Sequence, residues 1–141
     1  MRIVLDTNVL LQAISSRSPH HWLWQSLRRQ EITLCVTTDI LDEYHEMVAR
    51  FYQSATLADS VLDTITSWTS LVRVEKYYFW GLPYKDPDDQ KFVDCYVACG
   101  GPYLVTEDKV FFKELKKGNF LHVRVIKPKH FLAVFEELKN S

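Results

Sequence analysis

Two hydrophobic rhythms alternate along the chain. Short apolar runs rich in branched side chains occur at Arg2 to Leu5, Ile32 to Val36, Leu71 to Val74, Tyr103 to Thr106 and Val123 to Ile126. Runs of this length and composition read as strands of a mostly parallel sheet buried on both faces. Between them, apolar residues recur at helical spacing. Val9 to Ser15 reads as a short helix, and Ser18-Pro19 opens another carrying Trp22, Leu23 and Leu27. A cap of Thr37, Thr38 and Asp39 precedes Ile40, Leu41, Tyr44, Met47, Val48 and Phe51, and after a break at Gln53 to Thr56 come Leu57, Ala58, Val61, Leu62 and Ile65. Further helices carry Phe92, Tyr96 and Cys99, ending at Gly100-Gly101, then Val110, Phe111 and Leu115, and finally Phe131, Leu132, Phe135 and Leu138 after Lys127-Pro128. Caps, proline openings and glycine stops punctuate these elements as helix termini require.

Strands alternating with helices imply an α/β fold: a three-layer α/β/α arrangement around a mostly parallel sheet of about five strands, joined by right-handed crossovers. The 141 residues fit one domain spanning 1–141, and 47% hydrophobic content is enough for a sizeable core. Cys35, Cys95 and Cys99 form no paired framework, two of them lie in apolar runs, and reduced thiols are expected. Met1-Arg2 leads directly into a strand, and no apolar run approaches the ~18 residues of a membrane span, so neither a signal peptide nor membrane insertion is expected and a cytoplasmic location is. A net charge of −1 removes the simplest argument for nucleic-acid binding, a basic surface, and leaves any polyanion to be met locally.

The chemistry is carried by acids. Asp6 ends the first strand, at the sheet edge where ligands of open α/β sheets bind, although Asp6 or Thr7 could equally cap the next helix. On the helix from Ile40, a step of ~100° per residue puts Glu43 at the border of the apolar stripe, while Asp42 and Glu46 point away. Measured from Phe92, Asp89 falls on the same side as Tyr96 and Cys99; Asp94 projects oppositely, Asp88 is the natural cap and Asp86 belongs to the loop before it. The helix dipole accounts for some of these acids. Asp108 follows the fourth strand as Asp6 follows the first. Converging carboxylates repel, and a hard divalent cation offsets their charge. Mg²⁺ or Mn²⁺ among oxygen ligands would favour phosphodiester hydrolysis by an activated water. Zinc chemistry lacks support, since His20, His21, His45, His122 and His130 form no ligand spacing with the cysteines.

The segments Val4-Leu5-Asp6-Thr7-Asn8-Val9-Leu10, Ile40-Leu41-Asp42-Glu43-Tyr44, Asp86 to Cys95 and Tyr103 to Lys109 together resemble PIN domains, and within them the VapC-like toxin components of bacterial toxin–antitoxin modules. With the C-terminal strand and helix, the resemblance spans nearly the whole chain. It implies a compact α/β/α fold and Mg²⁺- or Mn²⁺-dependent endoribonuclease activity, with catalytic and metal-binding roles for Asp6, Glu43, Asp89 and Asp108. Asn8 and Thr106 match positions that support the acids, Thr7 serves the helix start and the site's surroundings, and Asp86 and Asp94 match further acids seen in this subgroup. The implied partners are RNA as substrate and an antitoxin protein. The aromatic run Tyr77 to Trp80, read as core or subunit contact, together with the resemblance favours a homodimer.

Other readings are a PIN nuclease of RNA processing or turnover without an antitoxin, and a catalytically silent RNA- or protein-binding module. A receiver-type signalling domain shares an acid after the first strand and a lysine-proline pair, Lys127-Pro128. It is disfavoured because Asp6 is followed by Thr7-Asn8 and the third strand runs into Glu75-Lys76.

Overall fold

The computed structural model describes residues 1–75, 87–117 and 123–141, and the side chains among these except those of 87–89 and 114–117. In chain order the elements are β1 (Arg2–Leu5), α1 (Thr7–Ala13), α2 (His21–Arg28), β2 (Thr33–Val36), α3 (Thr38–Phe51), α4 (Ala55–Ser67), β3 (Val72–Arg73), α5 (Pro87–Cys99), β4 (Tyr103–Val105), α6 (Lys109–Lys117), β5 (Val125–Ile126) and α7 (Pro128–Lys139). The strands form one parallel sheet in the order β3-β2-β1-β4-β5. This is the α/β architecture expected from the alternation of periods, with β1 at its centre.

Burial explains why β1 reads as an unbroken apolar run. Ile3, Val4 and Leu5 are all completely inaccessible although successive side chains point to opposite faces, so the sheet is covered on both sides. Helix α5 packs against β1, β2, β4 and α3, and it is buried nearly all round: Gln90, Phe92, Val93, Asp94, Cys95, Tyr96 and Cys99 are inaccessible or nearly so. Asp94, placed by periodicity on the face opposite Phe92, is buried as well, because this helix has neighbours on both sides. Gln90 donates its side-chain amide to Asp94 Oδ1 at 2.8 Å.

The caps behave as the residue types require. The Thr37 hydroxyl accepts from the Ile40 amide at 3.2 Å, and Ser54 accepts from Leu57 at 3.0 Å after Gln53 turns the chain with φ 52°. Edge strands β3 and β5 are shorter than the apolar runs that predicted them. Their pairing nevertheless extends past their ends, since Val74 N–H donates to Val36 and Leu104 N–H to Arg124, each at 2.9 Å. Phe51, counted with the apolar stripe of α3, is 64% exposed because it lies at the helix end, past the sheet. Among the described residues no helix is long and apolar enough to cross a membrane. The aromatic run Tyr77 to Trp80 lies outside the described residues.

Candidate active site

The order β3-β2-β1-β4-β5 reverses direction between β1 and β4: the chain moves outward from β1 through β2 to β3, then returns to the other side of β1. Crevices at such a reversal, outside the carboxyl ends of the strands, are the usual ligand sites of open parallel sheets. The register pairs Leu5 with Val105, so the residues that follow, Asp6 and Thr106, emerge side by side at this point.

Asp6 stands at the N-cap position of α1, yet its carboxylate makes no capping hydrogen bond. Its backbone serves the local structure instead: the amide donates to Val105 at 3.0 Å, and the carbonyl accepts from Val9 and Leu10, each at 3.1 Å. The side chain is left for the crevice. It is 6% exposed, and its Oδ2 accepts the Thr106 hydroxyl at 2.7 Å. Burial pushes the Asp6 carboxyl above the ordinary carboxylate value, and the nearby charges of Asp108 and Glu43 push the same way; the Thr106 hydrogen bond works against them. Of the two roles left open by the sequence, the side chain does not take the cap: it turns to Thr106 instead.

Thr106 also orders the next acid. Its Oγ1 accepts from the Asp108 amide at 3.0 Å, while Asp108 Oδ1 accepts from Val110 N–H at 2.9 Å and caps α6. Glu43 reaches the site from the first half of α3. Its Oε2 accepts the Thr7 hydroxyl, and its Oε1 lies 2.7 Å from Lys91 Nζ on α5. Beneath them the fully buried Tyr44 donates its hydroxyl to the Leu5 carbonyl at 2.5 Å, tying α3 to the end of β1. Burial holds the Tyr44 phenol well above its usual range, helped by Cys95, Asp6 and Glu43, so it remains a neutral donor.

Asp6, Glu43 and Asp108 are therefore brought to one sheet edge. Asp89 lies in the first turn of α5, but its side chain is outside the described residues, as are Asp86 altogether and the side chain of Asp88. Asn8 is exposed and lines a groove of about 750 Å³ together with Leu11, Gln12, Met47, Phe51, Glu107, Asp108 and Lys109. Thr7 and Thr106 hold carboxylates, whereas Asp94 is turned to Gln90 inside the core. Sequence reasoning missed Lys91 as a partner of Glu43 and Tyr44 as the brace under β1. A lysine two residues after Asp88-Asp89 was the available signal for the first.

The donor set suits a hard cation: every candidate atom is a carboxylate oxygen, and Asp6 is desolvated beside two further acids. Among the described residues no group of three or more acidic, histidine or cysteine side chains is placed to hold a metal ion, and the side chain of Asp89 lies outside them. Glu43 is held by Thr7 and Lys91, and one oxygen of Asp108 caps a helix.

The family model described as "PIN domain" matches residues 2–110. No curated protein matches the chain. Among solved structures, the fold is similar to a chain of VapBC2 from Rickettsia felis, crystallised bound to a DNA fragment from its promoter, with 17% sequence identity, a TM-score of 0.61, and coverage of 90% of this chain and 98% of that one.

Proposed function

The chain belongs to the PIN-domain family, and from that premise we propose that it is a Mg²⁺- or Mn²⁺-dependent endoribonuclease acting as the toxin of a toxin–antitoxin module. The observation that carries the reading is Asp6: a carboxylate that declines its capping role, sits desolvated at the strand-order reversal, and feels the charges of Asp108 and Glu43. A protein gains nothing in stability from clustered acids, so their retention at a ligand edge is best explained by a cation and an anionic substrate.

In this reading Asp6, Asp89 and Asp108 would hold the principal ion, and Glu43 would orient the attacking water or hold a second ion. When bound, such an ion supplies positive charge against the phosphoryl oxygens and acidity to the nucleophilic water. The protein's own part is positional. Thr106 fixes Asp6 and the start of α6 together, Thr7 fixes Glu43, and Tyr44 keeps the end of β1 from shifting beneath them. The neighbouring groove, partly apolar through Leu11, Met47 and Phe51, offers an antitoxin segment a place to cover the acids. The homodimer expected from the sequence is tested by light scattering of the purified protein.

The deciding experiment is cleavage of single-stranded and hairpin RNA in Mg²⁺, Mn²⁺ or EDTA by the wild type, Asp6→Asn and Asp89→Asn. Metal-dependent cleavage lost in both variants supports the reading. Undiminished, EDTA-resistant cleavage by Asp6→Asn sinks it. A small reading frame directly upstream, whose product inhibits cleavage, distinguishes a toxin from a nuclease of RNA turnover.

A further inference from the structure

We propose that Lys91 is a positioning residue for Glu43 and a built-in counter-charge that sets how tightly the site holds a divalent cation, an inference that rests on the metal-dependent reading above. Both Glu43 oxygens are engaged, Oε1 by Lys91 at 2.7 Å and Oε2 by the Thr7 hydroxyl. A carboxylate gripped at both ends keeps one orientation. The pair is not an ordinary surface ion pair, for the side chains of Lys91 and Glu43 are only 15% and 25% exposed. Attraction there is screened less than at the surface, where such pairs contribute little. The two partners also come from different helices, α3 and α5, that pack against each other, so the contact is fixed by the fold and not by chance rotamers.

Two consequences follow from the charges. Glu43 already has a cation, so it makes a weaker claim on a metal ion than Asp6 or Asp108 and is better suited to orienting a water. The ammonium also sits beside an acid whose charge Asp6 feels. It therefore lowers the net negative potential that any incoming Mg²⁺ or Mn²⁺ meets.

The test is a double-mutant cycle read by isothermal titration of Mn²⁺ into RNA-free protein, with kcat and KM for RNA cleavage measured in parallel. Lys91→Gln is expected to bind Mn²⁺ about fivefold more tightly, the scale expected for removing one nearby charge, while kcat falls about tenfold and KM is unchanged, as for loss of a group that orients a ligand. Glu43→Gln, which leaves the ammonium uncompensated, is expected to bind Mn²⁺ about fivefold more weakly. The double variant returns to wild-type affinity, and Lys91→Arg keeps it. Unchanged or weaker Mn²⁺ binding in Lys91→Gln overturns the inference, as does a double variant as weak as Glu43→Gln, which would make Glu43 a direct ligand. Should Lys91→Gln fail to fold, the Glu43→Gln and Lys91→Arg arms decide: unchanged affinity in the first or altered affinity in the second overturns it. A wild type that binds no Mn²⁺ overturns the metal-centre reading itself, a result distinct from wild-type binding that Lys91→Gln leaves unaltered.

Discussion

Thr106 donates its hydroxyl to Asp6 Oδ2 at 2.7 Å across the seam between β4 and β1, and Thr106 Oγ1 itself accepts the Asp108 amide at 3.0 Å. One buried threonine thus joins the two acids that end neighbouring strands. Its removal should be felt at both. Thr106→Val is expected to cost about 1–3 kcal/mol of stability, the penalty for stranding buried polar partners, and to weaken Mn²⁺ binding about 10-fold or more, as losses of supporting groups do. Thr106→Ser retains both bonds and should stay near the wild type. Urea denaturation and metal titration of the two variants check this.

Asp6 makes the metal-free protein's stability depend on pH in an unusual direction for a carboxylate. Its folded pKa is raised above the ordinary 3.8, chiefly by burial, so the folded state holds this proton more tightly than the unfolded chain. The contribution of Asp6 to stability is therefore undiminished below the unfolded value and is lost progressively as pH rises from there through the raised folded value. Asp6→Asn removes that penalty. In EDTA its melting temperature should exceed the wild type's at pH 7, with the gap closing as pH falls through the raised folded value and gone by about pH 4. A gap that widens towards acid would contradict the assigned direction.

In RNA cleavage, Asp6→Asn should lose at least about 10²-fold in kcat, the scale of removing one group that stabilises a transition state. Asp94→Asn should keep most of the activity. Asp94 is turned towards Gln90 in the core, and asparagine can still accept that amide at Oδ1. Equal losses at Asp94 and Asp89 would show that the third acid of the site is misassigned.

Tyr44→Phe should destabilise the fold by about 1–3 kcal/mol by leaving the Leu5 carbonyl buried without its donor. Because that carbonyl ends β1 directly before Asp6, the variant should also show faster hydrogen exchange at the Asp6 amide than at Val4. Equal protection at both amides, with unchanged stability, would remove Tyr44 from the support of the site.

The order of elements, the parallel sheet and the candidacy of Asp6, Glu43 and Asp108 were legible in the sequence, because each is written in a local signal: a buried run, a helical period, an acid directly after a strand. The caps at Thr37 and Ser54 belong to the same class, since a cap reads only its own next turn. Whether the Asp6 side chain caps α1, which the sequence left open, was decided by Thr106, directly after the neighbouring strand. The same holds for Glu43, whose two oxygens go to Thr7 and Lys91 on other helices, whereas Asp94 bonds Gln90 on its own helix and is buried by what packs around α5. Periodicity reports which face of an element is apolar. It carries no information about which strand lies next to which, and that neighbour order, β4 beside β1 and α5 against α3, is what sets the partners of Asp6 and Glu43.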